Sequence, residues 1–145
     1  MAPVLRVTLA VLIRWIHIAS VVTLIGGFIF ARYAVAPALA TMPETERNLA
    51  GKRVVASFRP ILYAVLITIL GSGLYNYFSV RRHSLMYNTS LGIKLLFVLH
   101  IFAVSILYAT RDVDEAKRTR WLRGLVTSGL IVIAISAYLR LLSFS

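Results

Sequence analysis

The chain has 145 residues, of which 59% are hydrophobic and only 14% charged, with a mean hydropathy of +0.83. A soluble domain carries about 25% charged residues, so this composition excludes an ordinary soluble fold and points to a membrane protein. The 16 Lys and Arg against 5 Asp and Glu give a net charge of +11. The basic residues stand at the ends of apolar runs and in short loops, where topology signals and anionic headgroups account for them. No basic patch interleaved with aromatics lies on a soluble module, so nucleic acid is not an expected partner. Cysteine is absent, which excludes disulfides, iron–sulfur clusters and thiolate metal sites.

The predicted fold is all-α: a single domain, residues 1–145, forming a four-transmembrane-helix bundle. Each span reaches the roughly 20 apolar residues that a bilayer core requires. The first, about 9–34, carries Arg14, Trp15 and His17 near one end, Gly26 and Gly27 in the middle, and Arg32 near the other end. Pro3 suits an early helical position, and Pro37 is expected to end the helix. Arg6 and Ala38-Leu39-Ala40 imitate the ends of a cleaved leader. The apolar run far exceeds the roughly 7–15 residues of such a leader, so a retained span is expected. The polar stretch that follows has helix-start chemistry at Thr41, Pro43, Glu44 and Glu46. Leu49, Val54, Val55 and Phe58 would lay this short helix on the membrane surface.

The second span, about 61–78, has Pro60 at its entrance and Gly71-Ser72-Gly73 inside, small residues that let another backbone approach. Tyr75 and Tyr77 fit an interfacial aromatic belt. A short basic link holds Arg81, Arg82 and His83, a histidine expected to be solvated. The third span, about 91–109, has Lys94 near its start and His100 near its middle. In the charged turn after it, Asp114 and Arg118 are placed to pair at i, i+4. The fourth span, about 122–142, has Arg123 at its entrance and no further ionisable residue before Arg140.

Ten of the basic residues (Arg32, Arg47, Lys52, Arg53, Arg59, Arg111, Lys117, Arg118, Arg120 and Arg123) fall on one side and the other six on the opposite side, accounting for all 16. The richer side is expected in the cytoplasm, which puts both termini outside.

Ionisable groups inside a span are costly and by default mark a site. Spans one and three run the same way, placing Arg14 and Lys94 near the outer surface and His17 and His100 deeper. Two imidazoles on neighbouring helices can supply axial ligands to a haem iron, with Arg14 and Lys94 toward the propionates. The glycines would make room for a flat macrocycle. The plainer reading is structural: His100 as interhelical glue, His17 beside the headgroups, Arg14 and Lys94 snorkelling. Copper is the alternative metal, since Met42, Met86 and the histidines are ligands it accepts. All five acidic residues read as loop residues, so no span offers the acid of a hydrolytic triad or a buried carboxylate for proton-coupled transport. Whether the protein is an enzyme stays open at this level. A homo-oligomer or a membrane redox partner is expected, because four helices alone enclose little volume.

Arg14-Trp15-x-His17, then Gly26-Gly27-x-x-Phe30 and Pro37, resembles the first helix of the bacterial copper-resistance protein D (CopD-type) membrane domain. His17 to Thr23, with Gly27 and Arg32 following, is also similar to the opening helix of the HemJ-type membrane protoporphyrinogen oxidase. Lys94-Leu95 and the apolar run after it resemble the lysine-bearing helix of the latter group. The resemblance covers span one well, span three loosely, and spans two and four only in hydropathy. It implies a small helical bundle of the bacterial cytoplasmic (inner) membrane with haem b, and His17 as the ligand. The HemJ-type pattern has a histidine two positions before the lysine, where this chain has Gly92. It also has an aromatic–histidine pair later in that helix, which is missing here, His100 sitting elsewhere.

Overall fold

The computed structural model describes residues 3–79 and 85–142, and every element within them is helical. The elements are α1 (Pro3–Phe30), a π turn (Ala31–Val35), α2 (Ala36–Ala40), α3 (Glu44–Ser79), α4 (Leu85–Thr110) and α5 (Glu115–Leu142). Four helical segments are long and apolar enough to cross a membrane: 4–40, 44–79, 88–110 and 115–141. This is a multi-pass helical membrane protein, as the composition requires. The basic link with Arg81, Arg82 and His83 lies outside the described residues.

Two prolines do not act as expected. Pro37 does not end the first span. The turn just ahead of it is π-helical, with the Ala36 N–H bonded to the Ala31 carbonyl. That wider turn takes up the ring and the missing donor of Pro37, so the helix runs on to Ala40. Nor does a surface helix precede the second span. Glu44 to Ser79 is one helix of 36 residues with Pro60 inside it. The reason is a stripe at helical spacing that crosses the proline without a phase break. Gly51, Val55, Leu62, Leu66, Ile69 and Ser72 are all buried, and half-buried Phe58 fills the gap beside Pro60. Packing on both sides outweighs the one hydrogen bond that Pro60 removes.

The four long helices form a ring in the order α1, α3, α4, α5. α1 packs on α3 and α5, and α4 on α5 and α3. Spans one and three, α1 and α4, therefore stand across the diagonal and are not the direct neighbours expected. Phe28 is the centrepiece of the core at 1% exposure, with its ring edge-on to Phe58 and Tyr108. Leu62, Leu122 and Leu125 close around it. Phe28→Ala is expected to cost about 3–5 kcal/mol, the range for a large aromatic removed from a packed interior. Thermal unfolding in detergent would read this as a large fall in midpoint; an unchanged midpoint would mean the core is looser than it looks.

The glycines serve this packing. A Cβ on Gly27 would lie 2.8 Å from the ring of Phe58, and one on Gly129 would lie 3.0 Å from Ile25. In span one the room at Gly27 is taken by the Phe58 ring, whereas Gly26 faces open space.

Candidate functional site

Polar side chains gather at two ends of the bundle. At the end where α1 begins, His17 Nδ1 lies 2.8 Å from Ser72 Oγ on α3. Ser72 is buried and donates its one hydroxyl proton along its own helix, to the Thr68 carbonyl, with the Ile69 carbonyl 3.3 Å away. With that proton given to Thr68, the hydroxyl oxygen accepts from His17 Nδ1, the tautomer that leaves the ring lone pair on Nε2. A hydrogen bond of this kind, made by the nitrogen away from the ligand, is how proteins orient an imidazole for coordination.

Gly73 lies alongside, its Cβ position 3.6 Å from the His17 ring. Lys94 on α4 is close enough across the diagonal for its charge to act on the imidazole. Arg14, three residues before His17, is exposed. A cleft of about 410 Å³ between α1 and α3 runs past Ser72 and is lined by Ile13, Ile16, Thr68, Gly71 and Tyr75.

His100 is elsewhere. It is exposed, and its Nε2 lies 3.9 Å from the Cβ position of Gly124 on α5. The register of the helices measures the gap. α3 and α5 run in the same direction, and Gly51 lies against Glu115 and Arg118. From that level Gly124 is about six to nine residues along and Ser72 about 21, a difference on the order of a dozen residues, or about 18 Å. The same register leaves Lys94, six residues before His100 on α4, on the order of 10 Å along the bundle from the His17 level, where its charge still reaches the ring. It keeps Arg14 at the rim and holds His100 farther still. One metal atom cannot bridge the two imidazoles.

The opposite end holds a group that sequence reading missed. Glu115 was expected in a loop; it lies in the first turn of α5, 6% exposed, bound at 2.8 Å to Arg118, itself 3% exposed. The expected Asp114–Arg118 pair does not form. Asp114 Oδ1 instead accepts from the Lys117 N–H at 2.7 Å and caps the start of α5. Asn48 Oδ1 accepts from the Glu115 N–H at 3.1 Å. Arg47 on α3 acts on the Glu115 carboxylate, and both Glu115 and Arg118 act on buried Tyr108 of α4. Gly51 is what lets α3 and α5 close here, since a Cβ would run into both the carboxylate and the guanidinium. On the rim, Lys52 and Asp112 form an exposed ion pair at 2.9 Å.

Among the described residues no three His, Cys, Asp or Glu side chains come together. Met42 lies in the turn before α3 and Met86 in the first turn of α4, at opposite ends of the bundle. Fold and site define a multi-pass helical membrane protein with one oriented imidazole at one end and a buried ion pair at the other. Comparison with family models, curated proteins and solved structures finds no match to this chain.

Proposed function

We propose that this protein sits in the cytoplasmic membrane of a bacterium, both termini outside, and holds haem b at the outer end of the bundle for a redox role. The orientation rests on the excess of basic residues at the ends predicted to face inward. The observation that carries the haem reading is the 2.8 Å contact of His17 Nδ1 with Ser72 Oγ, which as a bond donated by Nδ1 would leave Nε2 free to take a ligand.

The donor set fits one axial imidazole with cationic side chains toward the propionates, rather than the pair of histidines expected from sequence. His17 supplies the ligand nitrogen, Ser72 fixes its tautomer and ring plane, and Lys94 and Arg14 supply positive charge for propionates. Bound there, haem would contribute one-electron chemistry. The resemblance to CopD-type and HemJ-type proteins points the same way. Copper, the alternative metal, finds less support, because Met42 stands at the far end of the bundle and no cluster of metal-binding side chains forms around His17 among the described residues.

A second reading, a non-catalytic accessory subunit, has its own observation. The His17–Ser72 bond joins α1 to α3 and suffices as interhelical glue. The test is the absorbance of detergent-purified protein, oxidised and reduced, from cells supplied with haem. A Soret band in the wild type and in His100→Ala, absent in His17→Ala, is the expected result. A featureless wild-type spectrum would leave the accessory reading standing.

A further inference from the structure

The buried cluster at the Gly51 end is out of balance. Arg47 and Arg118 both act on the one buried carboxylate, that of Glu115, while the other acid beside it, Asp114, is exposed and taken up as a cap. Away from the water-facing rim, two guanidinium groups therefore meet a single carboxylate in a setting where uncompensated charge is costly. Its hydrogen bonding is out of balance too. The Nε–H groups of Arg47 and Arg118 are both buried and have no acceptor. Arg118 is 97% buried, from its 3% side-chain exposure. Ser105, fully buried on the same face of α4 as Tyr108 and three residues before it, also has an unpaired hydroxyl. A native interior leaves few such groups unpaired, and a guanidinium donor left so costs more than a neutral one.

What would complete the cluster is set by its chemistry. Two guanidinium donors on facing helices suit an oxyanion, whose paired oxygens match the guanidinium fork. The single excess positive charge suits one negative charge; with Glu115 present, a dianion would meet repulsion. We propose that Arg47 and Arg118 form a binding site for a singly charged oxyanion of the phosphodiester class, reached through their unpaired Nε–H groups while Arg118 keeps its bond to Glu115. Such a group comes either from the headgroup of an anionic phospholipid or from a small soluble phosphodiester. The site is separate from His17 and does not depend on how that residue functions.

The test uses full-length protein in a neutral detergent, with the unfolding midpoint read against added phosphatidylglycerol and, separately, against soluble glycerophosphoglycerol. The wild type should gain a saturable rise in midpoint with one or both. A response to the lipid alone assigns the site to a headgroup; a response to both assigns it to the phosphodiester itself. Arg47→Met leaves the Glu115–Arg118 pair in place, so it should fold while weakening the apparent affinity about tenfold, the loss of one charged hydrogen bond. Lys52→Met removes an equal charge from the exposed rim nearby and should leave the affinity unchanged. No saturable rise in the wild type would overturn the proposal. Equal weakening by Arg47→Met and Lys52→Met would also overturn it, by reducing the effect to surface charge.

Discussion

Arg118→Met should lower stability by about 3–5 kcal/mol, because it leaves the Glu115 carboxylate buried with its closest partner gone. Glu115 is 6% exposed, and its backbone N–H is fixed to the Asn48 side chain, so the carboxylate has little freedom to reach water. Converting Glu115 as well, in Glu115→Gln/Arg118→Met, removes the stranded charge and should recover a large part of the loss. That recovery is the signature of a buried pair: most of the cost belongs to breaking it and little to lacking it. The rim pair offers the contrast. Lys52 and Asp112 are 49% and 74% exposed, so Lys52→Met should cost at most about 1 kcal/mol. Thermal unfolding of the four proteins in one detergent decides the matter. Equal small shifts for Arg118→Met and Lys52→Met would show that water reaches Glu115.

With haem held on His17 as proposed, Ser72→Ala should weaken its retention about 10–100-fold, the usual effect of removing the hydrogen bond that orients a metal-binding imidazole. His17 keeps its nitrogen but loses the acceptor that fixes the proton on Nδ1 and the ring against α3. Ser72→Thr restores the hydroxyl, and most of the affinity should return with it. Titration of haem into apo-protein, followed at the Soret band, measures both variants. If Ser72→Ala retains wild-type affinity, the Ser72–His17 bond is interhelical glue only.

How much of this was legible in the sequence differs by level. The four spans were readable because each is a long apolar run, and hydropathy needs no knowledge of neighbours. The joints were not. Pro37 and Pro60 read as breaks, yet a π turn absorbs one and a continuous buried stripe overrides the other. That stripe, Gly51–Val55–Phe58–Leu62, is visible in the letters. Its force depends on Phe28 and Leu122 waiting on the other helices, which the letters do not show. His17 and Lys94 stood out as ionisable groups in apolar runs, whereas Ser72 was noticed only as small. Arg118 had carboxylates both three and four residues before it. The choice fell to Glu115 because Asp114 is taken up as a cap and Gly51 leaves a hollow on the Glu115 side.

The unbroken course of α3 has a mechanical consequence. Gly51 and Ser72 belong to one rod, about 21 residues or roughly 32 Å apart along its axis. A shift of that rod along its length, made where Gly51 meets Glu115 and Arg118, arrives at Ser72 and the His17 ring as the same shift. Only bending at Pro60, where one rung of the helix ladder is missing, can absorb part of it. The two ends of the molecule, unlike in chemistry, share a single piston, with its one compliant joint between them.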